Sequence, residues 1–505
     1  MVGKAFTWTR MGLSCSLVET EVDIKKGLPS ILVTGLLSQE VKEARERIRP
    51  AIQNSGIDFP LKRITINLSP AEMVKNGSHY DLAIAMAMLE AMEVVPELDN
   101  YAFFGELNLS GEIKWIRGLF PMVLEALKGK FRYIFIPADN FAEFMQLRTD
   151  RIIPVHNLRQ VIDIINSGDF TVPEDEYMIN KSNIITKIPD FSDIMGQPEL
   201  VDAMLVAACG FHHAIIVGPP GAGKTMGASR LPGILPDLSE EERFEINKIY
   251  SVAGVHYFDQ YSGARPFRCP HNTFSSRAVI GGGPKIMPGE VSLAHKGVLF
   301  LDEFLEFHSD TLQSLRTIIE NKAVYISMSS GCASYPADFL LIAACNPCPC
   351  GQFGSRSGNC VCNEKEVRRY RRKLNNPLVD RIDLQIKVDR LNYQELVHGE
   401  HAANSADLRQ IVLRVRDMQA LRFANETFKL NSLIPPGKIS YYCTMEKGGN
   451  AILEEYMDSN LLTARSCHKI LRIARTIADI GEHDIIRLTD LQRAIEYRFL
   501  DKEIM

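Results

Sequence analysis

The stretch GPPGAGKT has the residue types that hold a nucleoside triphosphate. It fits the pattern G-x-x-x-x-G-K-[ST] and stands between the apolar run HAIIV and a helical pattern. Glycines let backbone N–H groups close around phosphate oxygens, the lysine neutralises charge on the β- and γ-phosphates, and the threonine hydroxyl faces Mg²⁺. A turn rich in glycine and proline is the alternative, and the motifs that follow argue against it. The predicted ATP-binding residues are Gly218, Pro219, Pro220, Gly221, Ala222, Gly223, Lys224 and Thr225.

Two apolar runs further along the chain end in polar residues that suit ATP hydrolysis. The run GVLFLDE ends at Asp302 and Glu303, and the run FLLIAACN ends at Asn346. We predict that Asp302 lies near the Mg²⁺ ion and that Glu303 polarises the attacking water. Asn346 is predicted to orient the same water or to contact the γ-phosphate. A buried edge strand that ends in acids is the alternative interpretation of the first run.

Two arginines complete the candidate catalytic set. Arg381 ends a helical stretch in NNPLVDRIDL, and Arg465 lies in the helical pattern LLTARSCHKILRIARTIADI. An isolated arginine is usually a solvated surface residue. In the order P-loop, acidic strand, asparagine strand, DRIDL and helical arginine, both resemble parts of AAA+ ATPases, with Arg381 as a finger to a neighbour's nucleotide and Arg465 as the second sensor. A finger supplied to a neighbour requires a head-to-tail ring.

Four cysteines have the spacing of a metal site. They form the pattern C-x-C-x₉-C-x-C around a glycine-rich loop, and they are Cys348, Cys350, Cys360 and Cys362. Four thiolates so placed suit tetrahedral Zn²⁺ in a closed structural site. A redox pair and a packed patch of small residues are the alternatives, whereas the odd total of 11 cysteines argues against a disulfide framework. Cys345, just before this pattern, is predicted to be a core residue.

The composition is that of an ordinary globular protein without a bulk positive charge. The 505-residue chain has 46% hydrophobic and 24% charged residues, and its 57 basic and 62 acidic side chains give a net charge of −5. Any contact with DNA must therefore come from local basic patches. The N-terminal stretch lacks the apolar core of a signal peptide, and no apolar run approaches the roughly 18 residues that span a bilayer. We therefore expect a cytoplasmic protein.

The chain is long enough for several domains, and its patterns predict an α/β multidomain fold. Residues 1–168 alternate strand patterns such as RITINLS and YIFIP with the helical pattern DLAIAMAMLEAM, which predicts an α/β domain. Residues 169–190 are polar and have no clear period, which predicts a linker. Residues 191–390 predict an α/β nucleotide-binding core that includes the cysteine pattern, and residues 391–505 predict a helical lid.

One long stretch carries a resemblance to a known family. The segment RPFRCPHNTFSSRAVIGGGPKIMPGEVSLAHKGVLFLDEF, together with NPCPCG, resembles the magnesium-chelatase-like AAA+ proteins of the ComM/YifB family. The resemblance covers essentially the whole chain. It implies an ATP-driven DNA helicase that promotes branch migration in homologous recombination during natural transformation and that assembles as a homohexamer around DNA.

Three basic or exposed segments are candidates for DNA contact. The insert between Gly263 and Glu290 contains no acid, and its basic side chains are Arg265, Arg268, Arg277 and Lys285. They are predicted to track phosphates, with a solvated loop or a subunit interface as the alternative. A hairpin in KAVYISMSSGCASYPADFLLIAA has its predicted tip at residues 329–332. The resemblance implies basic residues there in many family members, and Met328 and Cys332 in this chain argue against a phosphate contact. The run VRRYRRKL could reach DNA as well, and we favour a subunit interface for it because two glutamates precede it.

The N-terminal domain resembles a protease without its catalytic dyad. The stretches FFGELNLSGEIKWIRGLFPMVLEALKG, YIFIPADN and VKNGSHYDLAIAMAMLEA are similar to the proteolytic domain of the Lon family. A serine nucleophile and a lysine base are required there. The nucleophile position falls on His79, beside Ser78, and the lysine position falls on Phe120. We therefore predict a Lon-like domain used for assembly or for gripping DNA, with Lys75 and His79 in a candidate contact loop.

Three functions remain open at this stage. The leading hypothesis is a hexameric ATP-dependent motor that moves branched or strand-invaded DNA, and the partners it implies are DNA and further copies of the chain. A motor subunit of a magnesium-chelatase-type metal-insertion complex is the first alternative, and the Lon-like domain argues against it. A DNA-binding scaffold that uses ATP only to assemble rings is the second. Glu303, Asn346, Arg381 and Arg465 argue against that scaffold, because together they suit hydrolysis.

Overall fold

A computed structural model provides the fold. It describes residues 2–36, 38–147, 149–171, 188–255, 264–328, 331–356, 358–375, 377–398, 402–459 and 463–500.

The N-terminal domain is built around one mixed sheet. Its elements in chain order are β1 (Val2–Met11), β2 (Ser14–Lys25), β3 (Ser30–Thr34), α1 (Gln39–Asn54), β4 (Arg63–Ser69), α2 (Asp81–Ala91), β5 (Tyr101–Phe103), β6 (Glu106–Leu107), β7 (Ile113–Lys114), α3 (Leu119–Lys128), β8 (Tyr133–Pro137), β9 (Ile152–Val155) and α4 (Leu158–Ser167). Within the described residues, seven strands form a sheet in the order β3-β4-β2-β1-β5-β8-β9. Helix α2 is buried from Asp81 to Leu89, as a helix that is apolar on all sides should be. The sequence predicted β4, β8 and α2, and all three are confirmed.

The nucleotide-binding core contains a parallel sheet. Its elements are α5 (Pro198–Gly210), β10 (Ala214–Val217), α6 (Lys224–Ile234), α7 (Glu240–Ala253), β11 (Phe267–Arg268), α8 (Ser276–Ile280), β12 (Gly281–Gly282), β13 (Met287–Pro288), α9 (Glu290–Leu293), β14 (Val298–Leu301), α10 (Ser309–Asn321), β15 (Ala323–Met328), β16 (Gly331–Pro336), β17 (Leu340–Cys345), α11 (Glu364–Arg371) and β18 (Leu384–Lys387). The sheet order is β11-β14-β17-β10-β18, and every pairing in it is parallel. Strands β10, β14 and β17 are buried along their whole length, which explains their continuous apolar runs.

The C-terminal part is helical. Its elements are α12 (Tyr393–His398), α13 (Ser405–Arg422), α14 (Ile439–Tyr442), α15 (Gly449–Ser459), α16 (Ala464–Ile480) and α17 (Leu488–Glu496). Val412 of α13 and Ile473 of α16 share one hydrophobic cluster with α5 and with one face of the parallel sheet. This part therefore packs on the core as the predicted lid. Among the described residues, none of the helices combines the length and the hydropathy that crossing a bilayer requires.

The segment predicted as a linker begins and ends inside packed structure. Phe170 stacks on Tyr133 with ring centroids 3.8 Å apart, so it packs with the first domain. At the other end, the carbonyl of Asp190 accepts a hydrogen bond from Arg230 Nε at 2.6 Å. Residues 172–187 lie outside the described residues.

The N-terminal domain packs directly against the core through α7. The Phe120 ring lies 6.4 Å from the Phe244 ring, and its backbone N–H donates to Ser251 Oγ at 3.2 Å. A second hydrogen bond joins Gly118 N to the Ser251 carbonyl at 2.9 Å. The hairpin formed by β15 and β16 also meets this domain, because a β-carbon at Gly331 would collide with Met11. The two domains thus share a packed junction.

Candidate functional site

The glycine-rich loop lies at the carboxyl edge of the parallel sheet, the edge at which β10, β14 and β17 end. Helix α6 starts at Lys224 directly after the loop, and Gly221 and Gly223 have φ angles of 80° and 78°, which favour glycine. Lys224 Nζ donates to the carbonyl of Gly218 at 2.6 Å and to Asn346 Oδ1 at 3.0 Å. Burial lowers the pKa of Lys224. The structure therefore brings together the predicted lysine and asparagine, which are 122 positions apart in the chain.

The predicted Mg²⁺ ligands meet at the same edge. Thr225, the residue after Lys224, donates from Oγ1 to Asp302 Oδ2 at 3.0 Å. The hydroxyl and the carboxylate are therefore adjacent at the end of the glycine-rich loop. Oxygen ligands of this kind fit Mg²⁺, which is commonly held by one or two protein oxygens together with substrate phosphates. Thr225 and Asp302 would hold the ion, which neutralises charge on a bound triphosphate.

Glu303 occupies a special backbone position. Its φ is 50°, a left-handed conformation that costs a non-glycine residue about 1 kcal/mol or more and that clusters at functional sites. Its Oε2 accepts a hydrogen bond from Asn272 Nδ2 at 2.6 Å. Sequence reasoning missed Asn272, because the insert that contains it was interpreted through its basic side chains and the contact with Glu303 crosses 31 positions.

A cavity of about 370 Å³ opens beside Glu303. Its lining residues are Glu303, Glu306, Asn346, Pro349, Glu366, Arg369, Tyr370 and Lys373. Helix α11 therefore borders the space next to the candidate catalytic carboxylate. From the basic run at 368–373, Lys373 pairs with Glu306 at 3.1 Å and Arg371 stacks on Phe353 at 4.7 Å.

The four predicted metal ligands converge. Their Sγ atoms all lie within 4.8 Å of one another, and the closest pairs are 3.4 to 3.8 Å apart. Thiolates around a tetrahedral Zn²⁺ at about 2.3 Å would be about 3.8 Å apart, so the residues present fit the ion. The cysteine loop also contacts the glycine-rich loop: a β-carbon at Gly351 would lie 2.5 Å from Pro220 Cδ. Cys345 is buried in β17, as predicted.

The two predicted arginines meet at the opposite edge of the sheet, the amino edge at which the strands begin. Arg381 donates to Glu320 at 2.8 Å, and Arg465 lies 3.8 Å from the same carboxylate. Both line a cavity of about 260 Å³ together with His213 and Phe339, which directly precede β10 and β17. Neither arginine is therefore placed beside the chain's own Lys224.

The candidate DNA-binding residues fall into two groups. Arg265 pairs with Glu242 at 2.9 Å, and Arg268 makes a bidentate pair with Glu290 at 2.6 and 2.7 Å. Arg277 is exposed, and the exposed Lys285 forms a loose pair at 3.5 Å with Glu40 of the N-terminal domain. In the hairpin, Met328 ends β15 and Cys332 lies within β16, whereas residues 329–330 are outside the described part of the chain.

The protease-like positions have structural partners instead of catalytic ones. His79 Nε2 donates to the carbonyl of Trp8 at 2.8 Å, and burial lowers the pKa of His79 to about 4. Ser78 Oγ donates to Glu106, and Lys75 Nζ to the carbonyl of Pro70. Lys75 and His79 are buried, so the prediction that they form a DNA-contacting loop is wrong.

A glycine-rich loop, an acidic strand and an asparagine strand on one parallel sheet, followed by a helical lid, define a P-loop protein of the AAA+ class. Family models agree: "Magnesium chelatase, subunit ChlI" matches residues 190–396, "Magnesium chelatase, subunit ChlI C-terminal" matches residues 402–498, and "Subunit ChlI of Mg-chelatase" matches residues 20–140. The chain therefore belongs to the magnesium-chelatase-like AAA+ family, and this family suggests ATPase activity.

Individual relatives support the same assignment. The chain is 37% identical over 502 residues to the uncharacterized protein YifB of Escherichia coli, an alignment that covers 98% of this chain and 97% of that protein. It is 35% identical over 499 residues to the competence protein ComM of Haemophilus influenzae, covering 97% and 96%. Lon protease 2 of Bacillus subtilis is 32% identical over 146 residues, or 27% of this chain and 26% of that protein. The Lon-like similarity and the AAA+ core predicted from sequence are confirmed.

Proposed function

We propose that the protein is an ATP-dependent DNA motor that assembles as a hexameric ring and promotes branch migration of branched or strand-invaded DNA during homologous recombination and natural transformation. The observation that carries the ATPase part is the cluster of Lys224, Thr225, Asp302, Glu303 and Asn346 at one sheet edge. The DNA part is supported by full-length similarity to a protein named for competence.

Within this proposal each side chain has one role. Lys224 binds the β- and γ-phosphates, and Thr225 and Asp302 hold the Mg²⁺ ion. Glu303 takes a proton from the attacking water, and Asn346 keeps that water or the γ-phosphate in line. Arg381 and Arg465 lie at the amino edge, so they would serve the nucleotide of the neighbouring chain in a head-to-tail ring.

The ATPase proposal is tested by Lys224→Ala and Glu303→Gln. We expect Lys224→Ala to lose ATP binding and Glu303→Gln to bind ATP but turn it over about 100-fold more slowly. Turnover of the parent protein, measured on single-stranded, duplex and four-way-junction DNA, should rise most with the junction. A Lys224→Ala protein that still moves junctions would refute the proposal.

The proposed DNA contacts are Arg277 and Lys285. Arg265 and Arg268 are held by carboxylates of the same chain, so their charge is already compensated. We expect Arg277→Ala with Lys285→Ala to weaken DNA binding and to reduce the salt dependence by about two phosphate contacts. The matched control is Arg159→Ala, an exposed arginine outside the insert that pairs with Asp163. Equal weakening in both proteins would contradict the assignment.

A motor for metal insertion is the second candidate, and the match to magnesium-chelatase models favours it. Stimulation of ATP turnover by DNA discriminates between the two functions. A metal-insertion motor should turn over ATP equally with and without a four-way junction.

We also propose that Cys348, Cys350, Cys360 and Cys362 hold a structural Zn²⁺ ion. The close approach of the four Sγ atoms supports this assignment. Elemental analysis of metal-replete protein should find about one zinc per chain, and the double variant Cys348→Ser with Cys360→Ser should retain none. Zinc near zero in the parent protein would refute the site.

A further inference from the structure

One face of the lid helix α16 is directed at the amino edge of the sheet. Arg465, Lys469, Arg472 and Thr476 follow one another at spacings of three and four residues, which places them on one side of a helix. Arg465 lies near Glu320, and Arg472 donates to the carbonyl of Ile434 at 2.8 Å. Lys469, between them, is the most deeply buried ammonium of the lid among the described residues, with 4% of its surface exposed.

Lys469 binds the backbone on both sides of Arg381. Its Nζ donates to the carbonyl of Asp380 and, at 3.1 Å, to the carbonyl of Ile382. Among the described residues no carboxylate forms an ion pair with it. Burial lowers the pKa of Lys469 to about 7. A buried ammonium is unfavourable unless its donors are satisfied, so these two carbonyls are strong partners for it.

The same segment is held from its other side. Arg498 donates to the carbonyl of Ile382 at 2.9 Å and to that of Asp383 at 3.0 Å. The Asp383 carboxylate accepts from His212 Nδ1 at 3.0 Å, and His212 Nε2 lies 2.8 Å from Thr476 Oγ1. The backbone around Arg381 is therefore fixed by the lid and the C-terminal segment.

The Arg381 side chain is held by one carboxylate and one carbonyl. Besides Glu320, its guanidinium donates only to the carbonyl of Pro377, at 2.9 Å, among the contacts of the described residues. Glu320 is about half exposed whereas the Arg381 side chain is 9% exposed, so another anion such as a phosphate reaches the guanidinium by taking the place of Glu320. A fixed backbone with an exchangeable side chain suits an arginine that is offered to another molecule.

We propose that Lys469 is a positioning residue for Arg381, so that the lid of one chain determines the placement of the arginine that this chain presents to its neighbour's nucleotide. The inference rests on the proposed ATPase ring and goes beyond it, because it makes the lid a control on the next chain's hydrolysis. Displacing a catalytic group by about 1 Å can reduce the rate about 100-fold.

The test mixes two variants that are impaired at different steps. Lys469→Met should lower kcat for ATP about 10- to 100-fold, with KM changed less than about 3-fold, since its own glycine-rich loop is intact. Lys224→Ala has the complementary defect: it does not bind ATP, but its Arg381 is correctly placed for the neighbouring chain. In rings formed from equal amounts of both, about a quarter of the head-to-tail interfaces combine the intact glycine-rich loop of a Lys469→Met chain with the correctly placed Arg381 of a Lys224→Ala chain. Turnover should recover to about that fraction of the parent rate.

Two control mixtures separate the possible failures. Arg381→Ala mixed with Lys224→Ala should recover in the same way, and no recovery there would refute the head-to-tail arrangement of the proposed function. Glu303→Gln mixed with Lys224→Ala should not recover, because both defects lie on the loop side. Recovery with Arg381→Ala but none with Lys469→Met would overturn the role of Lys469 alone.

Two further variants keep the test decisive if Lys469→Met does not fold or assemble. Lys469→Arg keeps donors for both carbonyls and should retain most of the parent kcat, whereas loss of activity in rings of normal size would contradict the proposal. If Lys469→Met does not assemble, Lys469→Gln takes its place with the same expected recovery, because one amide can satisfy only part of the contact.

Discussion

Asn272 holds the carboxylate that we assign to water activation. The hydrogen bond from its Nδ2 to Glu303 Oε2 takes one of the carboxylate's lone pairs and fixes the orientation of the group, which restricts its rotation toward an attacking water. Release of Asn272 would therefore free Glu303 for catalysis. The amide lies in the same insert as the proposed DNA contacts Arg277 and Lys285, so a DNA-induced shift of that insert could break the bond.

Substitution Asn272→Ala tests this restraint. We expect ATP turnover without DNA to rise about 3- to 10-fold, because Glu303 is released, and stimulation by DNA to shrink by a similar factor. Steady-state turnover with and without a four-way junction measures both effects. Thr273→Ala, at the adjacent exposed position, is the control and should behave like the parent protein. A fall in DNA-free turnover in Asn272→Ala would mean that the amide aligns Glu303 for catalysis.

His79 makes the N-terminal domain sensitive to acid. Its pKa is about 4 in the folded protein and about 6.5 when unfolded, so the unfolded chain binds a proton more readily between these values. Stability is therefore intact above pH 6.5 and is lost as the pH falls toward 4. We expect a loss of about 2 kcal/mol between pH 7 and pH 5, which His79→Gln should largely remove. Both tryptophans of the chain, Trp8 and Trp115, lie in this domain, so urea unfolding followed by tryptophan fluorescence reports on it. Equal acid sensitivity in both proteins would contradict the assignment.

Some residues of the candidate site could be predicted from the sequence, and others could not. Lys224, Asp302 and Asn346 were predictable because phosphate and Mg²⁺ chemistry requires fixed residue types directly after strands. Asn272 was not, because no residue spacing indicates that its amide reaches Glu303, 31 positions further along the chain. The burial of Lys75 and His79 was also missed. A polar loop sequence predicts solvent exposure, and only the tertiary contacts of the loop show that these two side chains are buried.

At the scale of elements, the cysteine loop supports the glycine-rich loop. Gly351 packs against Pro220 and near the Asn346 side chain, and the same segment leads through Cys362 to the cap of α11. A metal ion at this site would therefore stabilise the packing of the glycine-rich loop, the end of β17 and the start of α11 around the candidate nucleotide site. The C-x-C spacing predicted the ligands, but no sequence pattern shows what such a loop packs against.

A pair of glycines isolates this contact. Gly351 and Gly354 have φ angles of 78° and 68°, so alanine strains the backbone similarly at both. A β-carbon at position 351 would meet Pro220, whereas one at position 354 has nothing within 4 Å. We expect Gly351→Ala to raise KM for ATP about 10-fold and Gly354→Ala to change it less than about 2-fold, a difference of about 1 kcal/mol or more. Titration of ATP turnover measures both, and equal effects would exclude support of the glycine-rich loop through Gly351.

At the scale of the whole molecule, the lost protease position has become part of a domain junction. Phe120 stands at the position that the Lon resemblance assigns to the protease's lysine, and its ring packs between Phe144 of its own domain and Phe244 of the AAA+ core. The sequence indicated that the base was missing. It could not indicate that the replacement faces another domain, because contacts between domains leave no regular spacing.

Restoring a lysine at this position should damage the junction without creating a protease. Phe120→Lys buries an unpaired ammonium, so we expect a loss of about 3 kcal/mol or more in unfolding free energy. Casein should remain uncleaved, since no serine nucleophile stands at position 79. The matched control is Leu109→Lys, which adds the same charge at a side chain that is already exposed. Similar stability of the two variants in urea would contradict the buried role of Phe120.

Because Lys224 and Arg381 lie at opposite edges of one sheet, ATP turnover should depend on the concentration of the protein itself. On the proposed arrangement a solitary chain holds a nucleotide but lacks the cations that complete its hydrolysis, and each chain added to the ring completes its neighbour. Turnover per chain should then climb steeply with protein concentration and level off once every interface is occupied. Dilution would silence the protein while leaving it folded and loaded with ATP, so a cell could control the motor through its copy number alone.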